Sequence, residues 1–414
     1  MKYKKRLLEE KLRKLGTVFP AIVLTGARQV GKSTLFKYLL PGAQQVIFDP
    51  TIDIGNARKD PELFLNHLQL PAILDEIQYA PELLSVIKRR IDEKKIPGQY
   101  WITGSQNLNV IKNISESLAG RAAVLSLYPM TLAERYDEAS SWVVDYFKNP
   151  QQFLTKASTR IEQLLASVIW RGGYPGLIDL ANELQSDALS SYLSTYIERD
   201  VRLLSEVSDL QEFSRFVQLV ANLTAQEIHF TQLGREIGVS PQTAQRWLNL
   251  LKSTYQWIEL PAYSGNTIKR ISMKRKGYFI DTGLACHLMH ISTPNALLGH
   301  PKLGALFETY VVNDILRQLP LLHGNPAIYH WRSHAGAEVD LLLEMDNMYY
   351  PIEIKCKTRP TKNDLRGIQA FRQTYPQLKL APGLLICAID KITPFADDCY
   401  AMPFDMLSSS YDMI

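Results

Sequence analysis

The sequence predicts an α/β chain of several domains, and three observations carry that expectation. Residues 20–135 alternate short apolar runs (AIVLTG, QQVIFD, AILDE, QYWITG, AAVLSL) with helical stretches, as in a parallel sheet covered on both faces. A glycine-rich turn, GARQVGKS at 26–33, directly follows the first run. A second set of strand-like runs (AIYHWR, EVDLLLE, YYPIEIK, GLLICAI) comes only after residue 325.

At 414 residues the chain exceeds one ordinary core and predicts two to four domains. Its 46% hydrophobic and 21% charged content is ordinary for a soluble globular protein. No apolar run approaches the ~20 residues of a membrane span, and MKYKKRLLEEKLRKLG has no stretch of signal-peptide type. Four cysteines without a CxxC pair fit a reducing cytosol and no zinc. The expectation is a cytoplasmic protein with no membrane partner.

The net charge of +4 is too small over this length to argue for nucleic acid. Its distribution says more: residues 2–14 hold seven Lys or Arg, and KRISMKRK at 269–276 holds five. Such runs are usually solvated faces and become functional opposite a phosphate backbone.

GARQVGKS matches GxxxxGK[ST]. Gly26, Ala27, Arg28, Gln29, Val30 and Gly31 are expected to wrap ATP phosphates with backbone N–H groups, with Lys32, Ser33 and Thr34 opening the following helix. Lys32 supplies charge to the outer phosphates, and the Ser33 hydroxyl is placed to ligate Mg²⁺. Forty-three residues beyond Lys32, the apolar run PAILDE ends in Asp75 and Glu76. Asp75 is expected to hold Mg²⁺ through water, and Glu76 to polarise the attacking water. The run QYWITGSQN brings Thr103, Ser105 and Asn107 to the same sheet edge, with Ser105 the candidate sensor of the γ-phosphate. Arg121, in LAGRAAVLSL, is the candidate arginine finger toward a neighbouring subunit, which would require a homo-oligomer, a ring or at least a dimer.

From 136 to 225 the pattern turns helical, punctuated by RGGYPG at 171–176. Residues 230–260 then read as helix, tight turn, helix, strand: Gly238 suits the turn, Ser240 caps the second helix, and Pro241 opens it. A loop (SGN) and a basic return strand ending in GYFID complete a winged-helix outline. Its second helix would present Gln242, Gln245, Arg246 and Asn249 to DNA while Trp247, Leu248, Leu250 and Leu251 form the core face. Lys269, Arg270, Lys274, Arg275 and Lys276 fall on the wing, where they would meet the DNA backbone.

In the tail, Glu353 and Lys355 are i and i+2 on one strand and so share a face, as do Glu338 and Asp340 on the strand before. Glu308 lies in the preceding helix. Glu308, Asp340 and Glu353 are candidate ligands of a divalent ion, and Lys355 the candidate nuclease lysine that orients water or balances phosphate charge. This order resembles the PD-(D/E)xK nuclease pattern, with EVD in place of the short Pro-Asp element. His334 and Arg332 lie just upstream, as candidate phosphate contacts.

Taken together, GARQVGKS, LDEIQ, WITGSQ and LAGR followed by LYPMTLAE resemble a family of bacterial and archaeal AAA+-type ATPases; GGYP, YIERDV, the helix-turn-helix, FETYVVNDIL and EVD…EIK complete the match. The resemblance spans nearly the whole chain and implies ATP and Mg²⁺ binding. It also implies an α/β architecture of a P-loop AAA+-type parallel sheet, a helical linker with a winged helix, and a C-terminal restriction-endonuclease-like domain. The expected divisions are 1–135, 136–225, 226–290 and 291–414. The family resemblance assigns no role to GGYP or YIERDV, which read as a packed turn and a packed helix. The expected function is a Mg²⁺-dependent ATPase acting on DNA, as a motor or switch, with a nuclease-like terminal domain. Its rivals are an ATP-gated signalling switch with degenerate C-terminal acids and a restriction-like defence enzyme in which ATP gates cleavage.

Overall fold

AIVLT, AILD and YWITG carry almost no polar side chain, and the structure buries them from both sides. This structure, a computed structural model, describes residues 3–105, 117–138, 140–155, 160–161, 164–196, 201, 210–266, 268, 270, 273–396 and 398–407. Asn107, Lys269 and most of YIERDV lie outside the described residues. The chain forms two compact units, one of residues 5–129 with 250–256 and the other of 1–4, 130–249 and 257–414. No helix among the described residues is long and apolar enough to cross a membrane.

In the first unit, strands β1 (Ala21–Thr25), β2 (Gln44–Ile47), β3 (Ala72–Asp75), β4 (Tyr100–Gly104) and β5 (Ala122–Ser126) form one parallel sheet in the order β2-β3-β4-β1-β5. Helices α1 (Glu9–Gly16), α2 (Lys32–Leu39), α3 (Pro61–Asn66) and α4 (Leu83–Glu93) complete it. Helix α3 starts where a Pro-first sequence should: the Asp60 side chain accepts the Leu63 N–H at 3.0 Å, and Pro61 occupies the first turn. Helix α4 buries Leu84, Ile87 and Ile91, an i, i+3, i+7 stripe against Leu74 and Ile102. Each such fully buried side chain contributes roughly 1.5–3 kcal/mol. The order sets up the site: β4 lies between β1 and β3, so the residue after each strand meets the others at one edge.

The second unit contains two sheets. A helix α5 (Leu165–Arg171) precedes the GGYP turn, and α6 (Leu210–Asn222) precedes a short strand β6 (Gln226–Glu227). Helices α7 (Phe230–Ile237) and α8 (Pro241–Ser253) follow, then β7 (Trp257–Leu260) and β8 (Lys276–Phe279), which pair antiparallel in the order β6-β8-β7. Gly238 adopts φ 89° after α7, and Ser240 Oγ accepts the Thr243 N–H at 3.1 Å. Residues Leu250–Gln256, including the end of α8, belong to the first unit.

The tail is helix α9 (Leu303–Gln318) and a mixed seven-stranded sheet. Its strands β9 (Ala327–Arg332), β10 (Glu338–Met345) and β11 (Met348–Ile354) pair antiparallel, while β12 (Lys379–Leu380) and β13 (Gly383–Cys387) run parallel to β11. Two further strands, β14 (Thr393–Ala396) and β15 (Cys399–Pro403), extend the sheet. Helix α10 (Arg366–Thr374) lies on β10 and β11, packing Ile368 and Phe371 against Val339, Leu342 and Trp331. The approach is close enough to require Gly367, whose added Cβ would meet the Glu338 carbonyl oxygen at 1.6 Å.

GGYP is a packed turn. Gly172 has φ 70°, and a Cβ there would lie 2.2 Å from Asp281 Oδ1. Gly173 donates its N–H to Asp281 Oδ2 at 2.7 Å, while Arg317 donates to the Met130 carbonyl at 2.8 Å beside it.

Candidate functional site

The P-loop links β1 to α2. Gly26 (φ 143°), Gln29 (φ 60°) and Gly31 (φ 93°) give it positive-φ turns, and a Cβ on Gly26 would lie 2.1 Å from the Leu127 carbonyl oxygen. Ala27 and Val30 are buried, Arg28 and Ser33 half-buried, and Gln29 and Thr34 exposed. Lys32, itself buried, donates to the Gly26 and Ala27 carbonyls at 2.9 and 2.8 Å. From beneath, Arg6 donates to the Val30 carbonyl at 2.7 Å and to the Tyr128 carbonyl at 2.7 Å. The basic run at the start of the chain is therefore not uniformly solvated, since Arg6 is buried under the phosphate loop.

Asp75 ends β3 and is 4% exposed; Thr103 donates to its Oδ1, and Gln45 to its Oδ2 at 3.1 Å. Glu76 adopts φ 59°, and its N–H donates to Thr103 Oγ1 at 3.2 Å. Its Oε2 accepts from Ser105 Oγ at 2.9 Å and from Gln78. Burial alone would raise the Glu76 pKa, but the Lys32 and Arg28 charges and the Gln78 and Ser105 hydrogen bonds bring it below the usual value. Glu76 is thus an ionised carboxylate held in place by two side chains.

Ser105, expected as a phosphate sensor, donates to the Glu76 carboxylate together with Gln78, while Thr103 accepts the Glu76 N–H. LDEIQ contains Gln78, but nothing local marks it as Glu76's partner. Arg121 precedes β5, at the opposite edge of the sheet from the P-loop, and forms a bidentate pair with Asp92 at 2.6 and 2.9 Å. That pair holds Arg121 at the other end of the strands from this chain's own phosphate loop.

The C-terminal acids come together through two lysines. Lys276 Nζ lies 2.7 Å from Glu308, 2.6 Å from Glu338 and 3.2 Å from Asp340. Lys355 Nζ lies 3.2 Å from Asp340 and 2.6 Å from Glu353. The Ile354 N–H donates to Asp340 Oδ2 at 2.9 Å, and Tyr278 donates its hydroxyl to Glu308 at 2.7 Å. Pairing of β9 with β10 slips between Val339 and Leu342, a bulge that falls at Asp340.

Burial, the Asp340 charge and the opposing pull of Lys276 leave the Glu308 carboxyl raised to about 7. Burial and the Asp340 charge also push Glu353 well above its ordinary value. Burial would raise Asp340 too, yet the Lys276 and Lys355 ammoniums hold it below the usual range. As placed, the expected metal ligands are not a ligand set: among the described residues no three His, Cys, Asp or Glu side chains are positioned to hold a metal. The lysines lie between them.

The expected DNA face is mixed. Gln242, Gln245, Arg246 and Asn249 are exposed on α8, while Trp247, Leu248, Leu250 and Leu251 are buried. Lys274 and Arg275 are exposed. Two residues assigned to the wing need correction. Lys276 is buried in the acidic cluster, and Arg270 stacks on Tyr263 at 4.3 Å and Tyr329 at 5.1 Å, so neither faces a nucleic-acid backbone. His334 is exposed, and Arg332 lies 3.7 Å from Glu227.

A family model described as an AAA domain matches residues 18–136, spanning the whole five-stranded sheet. Models described as domains of unknown function match residues 162–295 (DUF8612) and 303–407 (DUF4143). Two uncharacterized mycobacterial proteins, Rv2008c of Mycobacterium tuberculosis and Mb2031c of Mycobacterium bovis, are each 29% identical over 391 residues, covering 94% of this chain and 81% of theirs. Among solved structures, the Walker-type ATPase PABY2304 of Pyrococcus abyssi is 16% identical, covering 68% of this chain and 94% of its own, at a TM-score of 0.41. A RuvB variant of Thermotoga maritima is 16% identical, covering 62% and 87%, at a TM-score of 0.29. Residues 18–136 are an AAA-type P-loop ATPase domain, whose class binds and hydrolyses ATP.

Proposed function

We propose that this chain is a Mg²⁺-dependent AAA+-type ATPase that acts on DNA through the segments beyond its P-loop domain. The observation carrying the catalytic half is the Asp75–Glu76 pair at the end of β3. It lies two strands from the P-loop, with Ser105 and Gln78 holding the Glu76 carboxylate. The donors there, the Ser33 hydroxyl and the Asp75 carboxylate, are hard oxygens of the kind Mg²⁺ takes, and these two would hold it. Bound Mg²⁺ would neutralise charge developing on the β- and γ-phosphates. Lys32 would exchange its two backbone carbonyls for phosphate oxygens, and Gly26 to Thr34 would cradle the phosphates. Glu76 would align and polarise the attacking water. Arg121 would act on a neighbouring subunit's phosphate in a homo-oligomer once released from Asp92.

The DNA half is supported by residues 210–279. Helix, strand, helix–turn–helix and two antiparallel strands follow the winged-helix order, with Gln242, Gln245, Arg246, Lys274 and Arg275 exposed. The gathering of Glu308, Asp340, Glu353 and Lys355 supports a nuclease-like terminal domain whose acids take a divalent ion. A second reading, an ATP-gated interaction switch with a non-cutting terminal domain, draws on the same cluster because two ammoniums already neutralise it.

Purified protein, Lys32→Ala and Asp340→Ala should be tested with linear, supercoiled and branched DNA for binding, ATPase stimulation and Mg²⁺- or Mn²⁺-dependent cleavage. Salt-sensitive binding with stimulated hydrolysis supports action on DNA. Cuts lost in Asp340→Ala support the nuclease; protein that neither binds DNA nor responds to it leaves the switch.

A further inference from the structure

Lys276 belongs to β8, outside the three elements that carry the acids, yet its side chain is 6% exposed and reaches carboxylates of α9 and β10. An ammonium has three donors, and three carboxyl groups meet this one. Charge of this kind is buried only where it is paired, and the pairing here is with groups 30 or more residues distant in sequence. The Glu353 carboxylate is 96% buried; its Oε1 holds Lys355, while its Oε2 has no hydrogen-bond partner. Two ammoniums set among four carboxyl groups, with one buried Glu353 oxygen left without a partner, describe a socket whose acids are not all satisfied by the cations it contains. The same two lysines explain why the acids do not form a ligand set as they stand.

We propose that Lys276 is the resident cation of this cluster and that a divalent ion enters only when the Lys276 ammonium withdraws, so that β8 gates metal loading of the C-terminal acids. This rests on the reading of Glu308, Asp340 and Glu353 as the metal-holding acids. The exchange replaces one positive charge by two among carboxylates drawn from three elements. It makes metal affinity depend on a residue outside the nuclease-like pattern.

The test uses full-length, nucleotide-free protein with Mn²⁺ as the probe and free Mn²⁺ read by electron paramagnetic resonance. Lys276→Gln is expected to bind one Mn²⁺ about tenfold or more tighter than the unmodified chain, because no buried pair need be broken first. The gained site is lost again in Lys276→Gln/Asp340→Asn. Lys379→Gln removes the same charge from an exposed position on the same seven-stranded sheet and should leave the affinity within about twofold. Should Lys276→Gln not fold, acetylation of the unmodified chain provides a second readout: Lys276 is protected without metal and reacts under saturating Mn²⁺. Equal Mn²⁺ affinity with and without Lys276, or Lys276 still protected at saturation, overturns the gate while leaving the nuclease reading intact. No Mn²⁺ bound in either protein overturns both. A site gained without DNA cleavage keeps the gate and removes the nuclease.

Discussion

Arg6→Ala isolates what holds the phosphate loop in shape. The guanidinium is 4% exposed and donates to the Val30 and Tyr128 carbonyls, each at 2.7 Å. Its removal takes a charged donor from two backbone acceptors, at about 1–3 kcal/mol each, so the variant should lose roughly 2–6 kcal/mol of stability, less if water enters. Affinity should fall as well. Val30 sits between Gln29 at φ 60° and Gly31 at φ 93°, so the freed loop is one that nucleotide must order again on binding. Ordering one or two residues requires about 1–2 kcal/mol each, and 1.4 kcal/mol is about a tenfold rise in Kd. A fluorescent ATP analogue gives Kd and a thermal melt gives stability; Arg6→Lys, which keeps one donor, should fall between the two. An Arg6→Ala chain that melts at the original temperature and binds nucleotide within about twofold would refute this account.

Glu76→Gln should lower ATP turnover about 10²–10⁴-fold while ATP still binds, since the amide keeps the shape but loses the charge that polarises water; phosphate release and equilibrium binding separate the two effects. Gly172→Ala should lower stability by at least about 2 kcal/mol, because it combines left-handed backbone with a Cβ driven into Asp281; a denaturant titration measures it, and an unchanged midpoint would contradict the packing. Burial holds the His330 pKa below its ordinary value, with Nε2 facing the Lys274 carbonyl at 3.2 Å and Nδ1 buried without a partner. The unfolded chain therefore takes up this proton first as pH falls, so stability is present above about 6.5 and declines below it. His330→Gln should flatten that part of the melting-temperature profile between pH 7 and 5.

The parallel sheet was legible because its three central strands are buried on both faces and each functional turn follows an apolar run. AIVLT, AILD and YWITG fall on Ala21–Thr25, Ala72–Asp75 and Tyr100–Gly104 with little shift. The acids of the tail were legible for a related reason, since i, i+2 spacing on a strand fixes a shared face. Strands β14 and β15 were not, because TPFA and CYAMP are short, carry Pro394 and Pro403, and show no alternation. The GGYP turn was visible as a turn, but the reason for its glycines lies at Asp281, over a hundred residues away.

Basic runs show most clearly where local pattern stops informing. In residues 274–276 Lys274 and Arg275 are exposed while Lys276 is buried, and Arg6 is buried at the N-terminal end of a run whose Arg13 and Lys14 are exposed. Composition treats each run as one solvated surface, yet every buried member has acceptors on a distant element: Val30 and Tyr128 for Arg6, Glu308, Glu338 and Asp340 for Lys276. An unpaired ammonium or guanidinium at those depths would be unstable by several kcal/mol. Such a residue can therefore be buried only after the rest of the fold has brought its partners into place. In both cases those partners belong to a candidate site, the phosphate loop or the acidic cluster. Arg6 and Lys276, which local sequence assigns to solvent, are the members of their runs that the fold places against its two candidate sites.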